Sequence, residues 1–229
     1  MMQGLKQWVK TRFPLAQKVW RRLTWPRPER VFRQIYQENA WGDAESRSGT
    51  GSNLAQTARL RAELPGLLRR LQVRTLLDLP CGDFYWMQHV DLTGVDYVGG
   101  DIVPELIAEN QRRYGGPGRR FQVIDLVQDP LPRVDLVLCR DCFVHLSFEY
   151  ITGAVANLRR SGSTYLAATT YPNTLQNLDV PSGKWRPLNM RLAPFQFPEP
   201  IIALVEDCTE GAGQHADKTL AVWRVADLP

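Results

Sequence analysis

The chain has 229 residues, 44% of them hydrophobic, enough for one full core with appendages. Its formal net charge of +4 conceals an asymmetry: residues 1–30 carry eight Lys or Arg and one Glu, which leaves 20 basic and 23 acidic residues in the remainder. A mildly acidic body argues against a broad nucleic-acid surface, no apolar run approaches the ~20 residues of a membrane span, and four cysteines without a secretory signal pattern point to a reducing cytoplasm.

In residues 1–25, Leu5, Trp8, Val9, Phe13, Ala16, Val19, Trp20 and Leu23 recur at helical intervals, with Lys6, Lys10, Lys18, Arg21 and Arg22 elsewhere. That pattern predicts a basic amphipathic helix bent at Pro14. Trp beside Lys and Arg suits contact with a membrane surface, and packing on the domain suits the pattern equally, so both readings are open. A mitochondrial transit peptide fits less well, because a single Ser or Thr occurs in the first 23 residues. Pro26 to Pro28 read as a hinge and close a first region at residue 30.

A second region, 31–72, is expected to form a cap. It holds a short helix from Val31 to Tyr36, a polar, glycine-bearing loop from Asn39 to Ser52, and a helix from Leu54 to Leu71 capped by Ser52 or Asn53. A loop of this kind ahead of a helix gathers free backbone N–H groups, either as a nest for a carboxylate or as an ordinary loop and cap. Trp41 within it either covers a cationic ligand by cation–π attraction or anchors the core.

The body, 73–229, alternates strand and helix: strands at Arg74–Leu79, Tyr97–Asp101, Arg120–Asp125, Val134–Cys139 and Thr164–Thr170, helices at Phe84–Val90, Val103–Tyr114 and Phe148–Arg160. Such repetition predicts a mainly parallel sheet covered on both faces. The first strand and its turn read Thr75-Leu-Leu-Asp-Leu-Pro-Cys-Gly-Asp83, an apolar run ending in an acid and then a glycine turn, as an open α/β sheet presents a nucleotide pocket. Asp101 follows Gly82 by 19 residues, near the roughly 20-residue interval at which a second-strand carboxylate reaches ribose hydroxyls. The G-x-G-x-x-G fingerprint is missing. One glycine where three are needed disfavours a pyrophosphate, so NAD and FAD give way to a ribose ligand without one, most simply S-adenosyl-L-methionine.

Asp78-Leu-Pro-Cys-Gly-Asp83, then Asp101, then Asp125-Leu126 after the third strand resemble the three successive cofactor motifs of class I S-adenosylmethionine-dependent methyltransferases. The resemblance covers Leu76 to about Thr170 and departs from the family at Pro80-Cys81, where Gly-x-Gly is commoner. It implies a Rossmann-like three-layer sandwich whose sheet of about seven strands is mainly parallel with an antiparallel last strand. It also implies roles. Gly82 with Asp78 and Asp83 would lie against the methionine part, Asp101 would hold the ribose hydroxyls and Asp125 would lie near the adenine amine, with Cys81, Ile102, Leu126 and Arg140 as neighbouring contacts.

Six of the sixteen prolines fall between Pro172 and Pro200, interleaved with Trp185, Arg186, Phe195 and Phe197. An irregular aromatic stretch of this length inside a domain is expected to be a lid or substrate wall, so residues 171–200 are assigned to acceptor selection. A hairpin of Ile201–Glu206 and Lys218–Val225 closes the sheet across a glycine-bearing loop that carries His215, a further substrate candidate.

Beyond the fourth strand, Cys139-Arg-Asp-Cys-Phe-Val-His145 supplies the catalytic candidates, Asp141 and His145. An aliphatic hydroxyl, scarcely ionised at neutral pH, benefits from a base within hydrogen-bond reach. His145 is that base or a packed histidine, and Asp141 orients the acceptor or pairs with Arg140. The sequence here is not Asn/Asp-Pro-Pro-Tyr/Phe, so by resemblance exocyclic amines rank lower. Cys139 and Cys142, with Cys81, raise zinc or redox chemistry, but the lone C-x-x-C straddling a strand end reads as small buried thiols, and no metal is expected. The resulting expectation is O-methylation of a small molecule or saccharide in the cytoplasm, peripheral to a membrane if the first helix meets lipid. A non-catalytic S-adenosylmethionine sensor and a protein or RNA methyltransferase are the alternatives.

Overall fold

The computed structural model of the protein describes residues 27–229. The expected basic helix of residues 1–25, with its membrane contact, lies outside the described residues. Among the described residues no helix is long and apolar enough to cross a membrane.

Helix α1, Pro28–Glu38, starts on a proline, whose fixed φ suits the first turn, and stops at Asn39 in the left-handed conformation. Helix α2, Ala58–Arg70, begins four residues later than its apolar pattern suggested. Neither Ser52 nor Asn53 caps it. The Asn53 side chain instead accepts from the Gln56 amide at 2.9 Å, a local turn that competes with helix through 54–57.

The sheet consists of β1 (Thr75–Asp78), β2 (Asp96–Asp101), β3 (Arg119–Val123), β4 (Leu136–Cys139), β5 (Tyr165–Thr170), β6 (Ile202–Val205) and β7 (Thr219–Arg224). The spatial order is β3-β2-β1-β4-β5-β7-β6, with β7 antiparallel to both neighbours and the β1 to β5 pairings all parallel. Helices α3 (Pro104–Tyr114) and α4 (Phe148–Ser161) supply the crossovers that join β2 to β3 and β4 to β5, since parallel neighbours cannot be linked by a tight hairpin. The chain runs outward from β1 to β3 and then returns to place β4 on β1's other side. That reversal opens a crevice beyond the carboxyl ends of β1 and β4.

Alternation along the strands sorts the core into two layers. Leu77, Val137, Leu166 and Trp223 face α4 and the segment around Leu188 and Met190. Leu76, Leu136, Ala167 and Val222 face α2 and α3. The helix expected at 84–90 is absent. Only a turn of 3-10 helix forms, Met87–His89, because Phe84 is held at φ +59° with its ring 5.1–5.2 Å from those of Tyr97, Tyr114 and Phe121, edge-on to Tyr97 and Phe121. Burial of that ring outweighs the local helical preference.

Candidate active site

A cavity of about 470 Å³ opens at the carboxyl edge of the sheet, between the ends of β1, β2 and β4, the loop 41–52 and the turn that leads into β7. At one end β1 delivers Asp78 and the chain turns back through a cis Leu79–Pro80 peptide to Gly82. Gly82 has φ +52°, and a Cβ there would stand 2.2 Å from Ser48 Oγ, so this turn needs glycine on both counts. The Gly82 amide donates to Asp101 Oδ2 at 3.3 Å and the Val103 amide to Asp101 Oδ1 at 3.0 Å, which ties the ends of β1 and β2 together.

Burial raises the Asp101 carboxyl to about 6, opposed by its backbone donors. Burial likewise raises Asp78 to about 7, opposed first by the Tyr97 hydroxyl, which donates at 2.7 Å, and then by Arg140. Asp125 and Leu126, just beyond β3, line the same end with Ile102. Asp125 caps its own turn, accepting from Val127 N at 2.8 Å.

Asp83, expected beside the ligand, is not in the cavity wall. Its carboxylate accepts from Ser46 Oγ, Ser48 Oγ, Arg47 N and Tyr85 N, so it pins the loop that covers the cavity. Asn110 of α3, which the sequence did not flag, steadies the turn from the other side by donating to Gly82 O at 2.7 Å. Cys81 lies against that asparagine, 3.8 Å from Nδ2, with its thiol raised by burial, while Cys139 and Cys142 belong to the opposite core layer although β1 and β4 are neighbours. All four cysteines are free and buried.

The other end of the cavity is built on a charge cluster. Arg140 Nη2 donates to Glu206 Oε2 at 2.8 Å and to Gly51 O at 2.8 Å, and Nη1 lies 3.2 Å from Asp141 Oδ2. Its guanidinium, proposed for the cofactor, is thus engaged in joining β4, the loop and β6. Lys218 Nζ donates to Asp141 Oδ2 at 2.6 Å. Burial would raise the Asp141 carboxyl, but Arg140 and then Lys218 outweigh it and hold it at about 2.

His145 ends a 3-10 turn, Phe143–His145. It lines the cavity with Trp41, their ring centroids 4.9 Å apart. Burial lowers its imidazole to about 4, opposed by the Asp141 charge, and Nδ1 is enclosed without a hydrogen-bond partner. Trp185 and His215 meet across 4.7 Å with Tyr171 beside them, and all three face the cavity.

Two substrate candidates do not. Arg186 is buried and donates to the carbonyls of Phe143, Leu146 and Leu178, because a guanidinium taken out of water must fill its fork. Phe195 packs edge-on against Phe148 at 5.1 Å inside the core. The segment 171–200 therefore gives much of its aromatic content to the interior and only Tyr171 and Trp185 to the cavity.

No family model matches the sequence, and no curated protein matches it. Solved structures do match. A Burkholderia thailandensis 1,6-didemethyltoxoflavin-N1-methyltransferase, with bound 1,6-didemethyltoxoflavin and S-adenosylhomocysteine, superposes over 86% of each chain at 17% identity and a TM-score of 0.56. Phosphoethanolamine N-methyltransferase 1 of Haemonchus contortus, in complex with phosphoethanolamine and S-adenosylhomocysteine, is 16% identical, with 69% of this chain and 35% of that one covered and a TM-score of 0.51. This chain has the class I methyltransferase fold. In that methyltransferase fold the expected seven strands are present, with the antiparallel strand, β7, last in sequence and next to last in space.

Sequence reasoning missed Lys218, Glu206, Glu210 and Tyr171. A signal existed for the first two: Glu206 and Lys218 stand at matching ends of the hairpin strands, and in the structure Glu206 N donates to Lys218 O at 2.8 Å. Opposite charges at the ends of two apolar strands are candidates for a buried pair. Glu210 and Tyr171 carried no such mark.

Proposed function

We propose that this protein is an S-adenosylmethionine-dependent methyltransferase that acts on a hydroxyl oxygen of a small molecule or saccharide. One observation carries the reading: the acids ending β1 and β2 and the acid beyond β3 share one cavity wall with the glycine turn, and that cavity continues into a polar, aromatic end suited to a second substrate. The donor set fits the cofactor. Asp101 would accept from ribose hydroxyls, Asp125 with Leu126 would meet the adenine edge, and Asp78 with the Gly82 turn would face the methionine part. When bound, the cofactor supplies an electrophilic methyl group.

The chain's own residues then have three tasks. Trp41 and the loop pinned by Asp83 cover the cavity and exclude water, which strengthens every polar contact inside it. His145, held neutral by burial, is available to receive the acceptor's proton, and the ionised Asp141 nearby favours the charged imidazole that results. Arg140 keeps Asp141, Glu206 and the loop carbonyl of Gly51 in register. Holding two substrates in such a pocket supplies several kcal/mol toward displacement.

Titration calorimetry with S-adenosylhomocysteine, followed by label transfer from a radiolabelled donor to cell extract, tests the reading. Heat in the wild type that is lost in Asp101→Ala, together with label in a small-molecule or saccharide fraction, is the expected result. Heat without label would make the chain a sensor, and no heat would remove the cofactor assignment. A cytoplasmic location, as expected from the cysteines, belongs to this proposal.

A further inference from the structure

Lys218 is a buried cation whose pairing with Asp141 uses one of its donors. Its side chain is 2% exposed, yet it lines the acceptor end of the cavity. An ammonium carries three N–H donors. Only Asp141 Oδ2, at 2.6 Å, is within hydrogen-bond distance among its ion-pair partners; Glu206 Oε2 and Glu210 Oε2 stand at 3.7 and 4.0 Å. Glu206 is already taken by Arg140. A buried ammonium with donors to spare is costly unless something fills them, and this one borders the space where the acceptor must lie.

We propose that Lys218 recognises the acceptor by donating to an oxygen adjacent to the one that is methylated, and that the acceptor is therefore a neutral saccharide ring with neighbouring hydroxyls. This inference rests on the methyltransferase reading and names its substrate class. Three observations support it.

The charges around Lys218 exclude an anionic acceptor group. Asp141, Glu206 and Glu210 outnumber Arg140 and Lys218, so the cluster has one excess negative charge and would repel a carboxylate or phosphate. A neutral oxygen can accept from Lys218 without that penalty. The aromatic wall fits a ring: Tyr171, Trp185 and His215 meet edge-on and line the cavity, and Trp185 remains 41% exposed. Such a wall packs the C–H face of a sugar while its hydroxyls turn to the ionic floor. A simple phenol would bring one oxygen, which the reacting position uses, and would leave Lys218 unfilled. Finally, the loop backbone closes directly over the cluster. A Cβ added at Gly51 would stand 3.2 Å from both Asp141 Oδ2 and Glu210 Oε2 and 3.4 Å from Lys218 Nζ, so the space around the ammonium is shaped by a residue without a side chain.

The test uses the full chain saturated with S-adenosylhomocysteine and a set of named probes: the methyl glycoside of a neutral hexose, its singly deoxygenated forms, the matching uronate, and phenol. Binding is read by saturation-transfer NMR and competence by label transfer from the donor. Expected are contact with the neutral glycoside, loss of about tenfold in affinity for at least one deoxy form, and no response to the uronate or phenol. Lys218→Met should weaken the glycoside by about tenfold or more while S-adenosylhomocysteine affinity stays within about twofold, and Lys218→Arg should restore part of it. Should Lys218→Met fail to fold, Gly51→Ala provides the second variant, with the same selective loss. The inference is overturned by a wild type that binds the cofactor product but no neutral glycoside, by preference for phenol or the uronate, or by variants that leave glycoside binding intact. A wild type that fails to bind S-adenosylhomocysteine would instead bring down the methyltransferase reading, and the inference with it.

Discussion

His145 lies against the indole of Trp41, with ring centroids 4.9 Å apart and planes inclined by 34°. The two residues come from different regions of the chain, and their contact does more than close the cavity. It removes the imidazole from water, which is the largest cause of its lowered pKa. Trp41→Ala should therefore move the His145 titration upward from about 4 toward the ordinary histidine value of about 6.5. Imidazole C–H shifts followed by NMR across pH 3 to 8 check this; an unchanged titration would mean that Trp41 does not shield the ring.

Asp101 gives the cofactor site a pH dependence of predictable sign. Its folded-state pKa is raised to about 6, so the carboxyl becomes protonated as pH falls through that value and then accepts fewer hydrogen bonds. Affinity for S-adenosylhomocysteine should rise with pH between about 5 and 7 and level off above, by up to about tenfold per unit on the acid side. In Asp101→Asn the slope should flatten and the affinity fall. The raised Asp78, titrating near 7, should leave a residual slope in that variant. For stability the sign is opposite: a carboxyl with a raised folded-state pKa favours the folded chain less as pH rises from about 4 through 6.

Gly82→Ala should cost about 1–3 kcal/mol, because its φ of +52° is unfavourable for alanine and the new methyl group meets Ser48 Oγ. Removing that hydroxyl in Gly82→Ala/Ser48→Ala should recover the steric part and leave the backbone part. Denaturant melts of both variants separate the two contributions.

Arg186→Met tests the reassignment of Arg186 from substrate wall to internal brace. The carbonyls of Leu146 and Leu178 would lose the guanidinium donor, and that of Phe143 would keep only the Leu146 amide, at a cost of about 2–4 kcal/mol. Thermal stability should drop clearly, whereas S-adenosylhomocysteine affinity at a temperature where the variant is folded should change by less than about threefold. The reverse pattern would return Arg186 to the ligand site.

Much of the fold is legible in local sequence because its signals are local. Short stretches with apolar residues that end in an acid mark β1 and β2, and turn residues punctuate them, so strand order along the chain and the positions of Asp78, Asp101 and Asp125 need no long-range information. The failures share one cause. Phe84 sits in a stretch that reads as helix, yet its ring is worth more in the aromatic cluster than in a regular turn. Phe195 and Arg186 read as binding groups because aromatic and charged residues in an irregular segment look alike whether they face a ligand or a core. Asp83 reads as part of the cofactor motif, and nothing nearby announces that Ser46, Arg47 and Ser48 will fold back onto it.

What the sequence determined by itself is the order of the elements and the edge of the sheet that carries the chemistry, since both follow from the spacing of hydrophobic runs and the residues that end them. Only the tertiary structure decided which groups meet there. Lys218 reaches Asp141 across 77 residues, and Arg140 reaches Glu206 across 66. Such pairs are made by β7 inserting between β5 and β6, and burial then makes their partners obligatory, because a charge taken out of water must find its counter-charge wherever the fold has put one.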